Sequence, residues 1–190
     1  MDRIRAAHPG AVVEVWAQDE HRLGLKPVQR RVWLLPDMDP VAPVWPRYEW
    51  CYVSGWVRPE TGDNYWLLVP RIGTDVYSQM LAEFARAQGL GDDKHIVLVV
   101  DRAGWHRSPK VLLPEGLHLV FLPPYAPELQ PAERLWALLD EVIANRVIAT
   151  LDELLDTVSD RCRSVQTRTL ELARRTCFHW WPRQALASGK

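Results

Sequence analysis

The amino-acid pattern predicts an α/β domain in which a mixed sheet is flanked by helices, and three observations carry that expectation. Residues 11–20, 47–57 and 65–70 have strand composition, and the last two are joined by a Gly-Asp-Asn turn that pairs them as an antiparallel hairpin. HIVLVVD and LHLVFLP are short, continuous apolar runs, the signature of strands buried on both faces. Between and after them the apolar residues switch to helical period.

Taking the elements in order, AVVEVWAQDE (residues 11–20) is rich in β-branched and aromatic residues and ends in a carboxylate pair, as a strand does. Residues 23–46 contain Pro27, Pro36, Pro40, Pro43 and Pro46, so they read as extended connection with at most a short strand over residues 31–35. RYEWCYVSGWV alternates, placing Tyr48, Trp50, Tyr52, Ser54 and Trp56 on one face, expected to be core, and Cys51, Val53 and Val57 on the other. From Thr74, taken as N-cap, Val76, Met80, Leu81, Phe84, Ala87 and Leu90 form a helical stripe that Gly89 or Gly91 stops. HIVLVVD ends on Asp101, and a short helix is expected over residues 108–113. After LHLVFLP and the loop PPYAPELQP, a helix is expected from Pro131 to about Asn145, with proline at the first helical position and Leu135, Trp136 and Leu139 on one face. Residues 151–162 and 167–178 read as two C-terminal helices.

Composition sets the bounds. The 190 residues are 47% hydrophobic and 25% charged, which is enough chain and enough apolar content for a self-sufficient core. Three scattered cysteines form no Cys-x-x-Cys pair, so neither a disulfide framework nor a thiolate zinc site is favoured and a reducing, cytoplasmic compartment fits. No apolar run is long enough to span a bilayer, so no membrane association is expected. A net charge of −1 hides a basic tail: residues 160–190 hold seven Lys or Arg against two acidic residues. A second cluster, Arg22, Lys26, Arg30 and Arg31, directly follows Asp19 and Glu20, and reads either as the lining of a nucleic-acid path or as solvated surface.

Three carboxylates stand at positions where α/β folds gather function: Asp19 at the end of the first strand, Asp101 at the end of a buried strand, and Glu133 in the first turn of a helix. Each has an ordinary explanation when taken alone, because turns favour aspartate and a helix N-terminus favours any carboxylate. Their joint placement argues for more. Two carboxylates about 4 Å apart repel by roughly 4 kcal/mol at an effective dielectric near 20, so a converged trio must take up protons or bind a cation. Oxygen donors without cysteine or paired histidine partners point to Mg²⁺ or Mn²⁺, and such a site can hold two ions that act on a phosphodiester.

The blocks AQDEHRLGLKPVQRRVW, VVDRAGWH and FLPPYAPELQPAERLW resemble the signature blocks of the DDE transposases of the mariner superfamily, in particular the bacterial insertion-sequence six-thirty branch. The resemblance runs from about Trp16 to Trp136. It implies an RNase H-like fold, with Asp19, Asp101 and Glu133 as the catalytic, metal-binding triad and His106 as the family's histidine, orienting a ligand or touching DNA. It further implies metal-dependent strand cleavage and strand transfer, with Mg²⁺ or Mn²⁺ as cofactor. The expected partners are transposon-end and target DNA, and a homodimer on that DNA. Departures from the family pattern are Arg102 for asparagine, Ala126 for serine, Gln130 for asparagine and Ala132 for isoleucine. Arg102 beside Asp101 would either contact the scissile phosphate or compete with metal.

Because the first block begins about fifteen residues into the chain, no helix-turn-helix segment precedes it, and the resemblance implies a separately encoded DNA-binding protein or a truncated remnant. The domain reading is a catalytic unit over residues 1–146 and a helical extension over 147–190 packed on it. Two competing readings are a remnant that binds DNA or a partner without cleaving, and an RNase H-like nuclease. RRTCFHWWPR in the tail suits stacking on bases and gripping phosphates, or simple coverage of the sheet. His21, His95 and His118 have no ligand-like spacing.

Overall fold

Val12–Gly24 (β1) is the central strand, because its alternating apolar side chains have to be covered from both sides. In this computed structural model, which describes residues 1–26, 28–31, 47–124 and 126–182, Trp50–Val57 (β2) pairs antiparallel with β1, and Asn64–Val69 (β3) with β2. On the other side of β1 lie Lys94–Val100 (β4) and Leu117–Phe121 (β5), both parallel to it, giving the order β3-β2-β1-β4-β5. The remaining elements are Asp2–Ala7 (α1), Thr74–Gln88 (α2), Gly104–Arg107 (α3), Glu133–Asp140 (α4), Leu151–Gln166 (α5) and Thr169–Thr176 (α6).

Alternation divides the core into two layers. On one face Trp16, Trp56, Ile96, Leu98 and Val100 pack against Tyr77, Met80, Leu81 and Phe84 of α2, with the Trp56 and Phe84 rings stacked at 5.3 Å. On the other face Val13, Val15, Ala17, Val53, Val97 and Val99 meet Leu135 and Leu139 of α4, Leu154 and Val158 of α5 and Leu172 of α6. The C-terminal helices thus share the core that covers β1.

Several boundaries differ from the pattern read along the chain. The expected helix over residues 108–113 is instead α3, four residues earlier, because Pro109 forces Ser108 into extended backbone (φ −61°, ψ 132°). The helix expected from Pro131 starts at Glu133 and ends at Asp140; tighter turns then run to Asn145, whose φ of 56° closes the stretch. Gly73, rather than Thr74, caps α2, and its carbonyl accepts the Tyr77 N–H at 2.8 Å. The first strand runs on past Glu20 to Gly24, and α1 carries no buried residue that could have announced it. Of the aromatic face of β2, Trp56 is core, but Trp50 is partly exposed and Tyr48 lies in solvent. The short strand expected at residues 31–35 lies, apart from residue 31, outside the described residues.

Candidate active site

Asp19 is placed by a mismatch in strand lengths. Pairing of β1 with β4 ends at Ala17↔Val99, whereas pairing with β2 continues to Gly24↔Trp50, so Asp19 is interior to β1 yet stands just beyond the end of β4. Asp101 follows β4 directly. Opposite Asp19 in β2 is Gly55, where an added Cβ would meet Leu135, Trp136 and Trp66 side-chain atoms, each at 3.1 Å. That missing side chain lets α4 approach, and the Trp136 indole N–H donates to Asp19 Oδ2 at 2.9 Å. Burial pushes the Asp19 carboxyl up to about 7; the Trp136 bond opposes the shift, while the charges of Glu20 and Asp101 add to it.

The neighbouring Glu20 points to the other face of β1, as alternation requires. There its Oε1 lies 3.2 Å from His106 Nε2 and accepts the Gln18 amide at 2.8 Å. His106 Nδ1 lies 2.6 Å from Asp101 Oδ1, which also accepts the Ala103 N–H at 2.9 Å. Both ring nitrogens face carboxylate oxygens, and only a doubly protonated ring satisfies both. Burial works against that charge, but the bonds to Asp101 and Glu20 outweigh it and carry His106 up to about 9. The His106 bond in turn holds the Asp101 carboxyl below its usual range. Tyr77 closes the network by donating to Gln18 Oε1 at 3.3 Å.

Glu133, the first residue of α4, completes the group; partial burial raises its pKa and Arg134 works against the rise. Asp19, Asp101 and Glu133 line one cleft of about 490 Å³, together with Arg102, Arg107, Gln130 and an apolar wall that includes Leu122, Pro123 and Pro124. Arg102 does not neutralise Asp101. Its Nε donates to the Leu122 carbonyl at 2.8 Å, and among the described residues no ion pair joins it to any of the three carboxylates. No three of the described histidines, cysteines and acids close to metal-ligand spacing. The donor set nevertheless suits a hard divalent cation, with three carboxylates on one cleft and two of them, Asp19 and Glu133, raised by burial and by neighbouring charge.

The basic cluster does not reach this cleft. Arg22 lies over the Trp50 ring at 4.0 Å, and Arg30 donates to Asp140 Oδ2 and to the Ala137 carbonyl, each at 3.2 Å. Lys26 and Arg31 are exposed, and neither lines the cleft, whose cations are Arg102 and Arg107. In the tail, Trp181 belongs to the core, Arg134 lies over the Phe178 ring at 5.5 Å, and Arg183 is outside the described residues.

Five contacts escaped the sequence reading. Trp136 bonds Asp19, and His21 stacks on Trp136 at 5.0 Å while sharing a 2.9 Å contact with Asp140. Gln130, buried, donates to the Gln18 carbonyl at 3.0 Å, and Glu20 faces His106. The available signals were the Asp-Glu pair itself and an indole one helical turn after Glu133.

The profile of the DDE superfamily endonucleases matches residues 14–155, a span that includes all three carboxylates. The chain belongs to this family. A relative within reach of this DDE chain is "Uncharacterized protein y4pE/y4sA" of Sinorhizobium fredii (strain NBRC 101917 / NGR234), 37% identical over 107 residues, covering 56% of this chain and 78% of the relative. Among solved structures, the Mos1 mariner paired end complex with Mn superposes with a TM-score of 0.62 at 14% identity, covering 85% of this chain and 53% of that one. The Mos1 strand transfer complex gives 0.59 at 15% identity, covering 85% and 52%. The chain therefore spans about half the length of these solved proteins, and what it shares with them is the RNase H-like fold.

Proposed function

We propose that this DDE chain is the catalytic part of a transposase that cuts and joins DNA strands with Mg²⁺ or Mn²⁺. The observation that carries the reading is the convergence of Asp19, Asp101 and Glu133, from three separate elements, on one cleft that also holds two arginines. Asp19, Asp101 and Glu133 would hold the metal as two ions, which would supply charge neutralisation at a phosphodiester and an activated oxygen nucleophile. The chain's own residues do the rest. Trp136 and His106 each hold one aspartate by a carboxylate oxygen, so the carboxylates enter the cleft already oriented. Arg102, anchored on the Leu122 carbonyl, and Arg107 present guanidinium groups that match phosphate geometry. Leu122, Pro123 and Pro124 form an apolar wall beside these groups.

The same reading makes transposon-end and target DNA the substrates and a homodimer the assembly on DNA. It takes residues 1–146 as the catalytic unit and 147–190 as a helical extension on it. Arg102, held on the Leu122 carbonyl and without an ion pair to Asp101, supports this reading over that of an inactive remnant.

Nicking of supercoiled plasmid, paired with calorimetric titration of Mg²⁺ and Mn²⁺, tests the proposal. The parent is expected to bind metal and nick, and Asp101→Ala to do neither. Equal nicking by Asp101→Ala, or cleavage confined to RNA–DNA hybrids, would overturn it.

A further inference from the structure

We infer that Glu20 is a positioning residue for Asp101, acting through His106 from the opposite face of the sheet to the cleft. The inference rests on the proposed role of Asp101 in holding metal.

The geometry is a continuous line. Glu20 Oε1 meets His106 Nε2 at 3.2 Å, and His106 Nδ1 meets Asp101 Oδ1 at 2.6 Å. The His106 side chain is fully enclosed and that of Glu20 is nearly so, at 0% and 5% exposure, so neither has water as an alternative partner. Tyr77 packs on the ring at 4.5 Å between centroids and blocks rotation. Glu20 is itself fixed by Gln18, whose amide also donates to Ser54 at 2.9 Å. Both protein bonds to the Asp101 carboxylate fall on Oδ1. Its other oxygen accepts no protein bond among the described residues and so is left for a metal, in an orientation that depends on where the imidazole stands. An imidazole tethered at one nitrogen can tilt about that bond; tethered at both, it cannot. The Asp-Glu pair on β1 thus divides its labour by strand alternation: Asp19 enters the cleft on one face, and Glu20 secures the second aspartate from the other.

The test uses the full chain and three substitutions. Glu20→Gln keeps an oxygen acceptor for Nε2; Glu20→Leu removes it at similar size; Glu20→Asp withdraws it by one methylene and serves if the leucine variant does not fold. Mn²⁺ affinity is measured by calorimetry, with Asp101→Asn as control. Loss of a second-layer partner costs about 10-fold or more in metal affinity, so Leu and Asp should lose about that much while Gln stays close to the parent. A second readout needs no metal: the far-downfield proton NMR signal of the short His106–Asp101 bond, assigned by its loss in His106→Ala, should persist in Gln and shift or vanish in Leu and Asp.

If Glu20→Gln loses as much affinity as Glu20→Leu, Glu20 is itself a ligand and the inference is overturned. If Leu and Asp bind Mn²⁺ like the parent with only a lower Tm, Glu20 is merely structural, and the inference is again overturned. If the parent does not bind Mn²⁺, or Asp101→Asn binds it equally well, the functional reading fails and takes the inference with it.

Discussion

Asp19 holds a carboxyl where burial disfavours its charge, and that conflict is measurable without any substrate. Its pKa is raised from 3.8 to about 7, so between those values the folded chain keeps a proton that the unfolded chain has released. Stability must therefore fall as pH climbs through that window, with the penalty complete above about 7 and absent below about 4. A shift of this size corresponds to on the order of 4 kcal/mol. Asp19→Asn removes the penalty and keeps an oxygen for the Trp136 indole. In urea titrations with chelator present, the variant is expected to be more stable than the parent at about pH 8, the two converging below about pH 4. A parent that gains stability relative to the variant as pH rises would contradict the assignment. His106 shows the complementary case, where two carboxylates outweigh burial and keep an imidazole charged.

At the scale of elements, close backbone approaches decide which helices sit on which strands. Gly62, in the turn between β2 and β3, has φ +80°, and a Cβ there would lie 1.8 Å from the Thr169 carbonyl oxygen at the start of α6. Gly89, at the end of α2, has φ +65° but open space around it. Gly62→Ala should therefore cost about 2–5 kcal/mol, the left-handed penalty plus overpacking, and Gly89→Ala only about 1–2 kcal/mol. Urea midpoints of the two variants check this, and equal losses would show that the hairpin yields to α6 without strain. Elements with strong local signals were legible in the chain: β4 and β5 as continuous apolar runs, α2 from its stripe and αL glycine stop. The short α3 was not, since four residues carry no periodicity and only the restriction before Pro109 locates its end.

For the whole molecule, α5 determines whether the catalytic layer can stand alone. Leu154, Val158, Cys162 and Val165 are buried against the same core as β1 and β2. Burying each such side chain contributes roughly 1.5–3 kcal/mol, and a domain's net stability is only about 5–15 kcal/mol. A chain ending after Arg146 is thus expected to lose cooperative thermal unfolding in calorimetry, and a sharp transition in that truncation would show that residues 1–146 fold independently.

The sequence by itself determined the class of fold, the two parallel strands, the antiparallel hairpin, and the identity of the three carboxylates now found on one cleft; of the two strands expected to be buried on both faces only β4 is, because β5 stands at the sheet edge and exposes Val120 and Phe121. These are properties of local period and residue chemistry, which a linear pattern records directly. Only the tertiary structure decided the rest. That Asp19 lies inside a long strand rather than at its end, that Glu20 clasps His106, and that Trp136 and Gln130 brace β1 all depend on register between distant segments. That Arg22, Lys26, Arg30 and Arg31, read either as the lining of a nucleic-acid path or as solvated surface, lie off the cleft was decided in the same way. Proximity in sequence placed them beside Asp19, but β1 continues beyond it and carries Arg22 over Trp50, while Arg30 is taken up by Asp140 on α4. A strand's length and its partners' ends are set by packing, and no residue along the chain announces them.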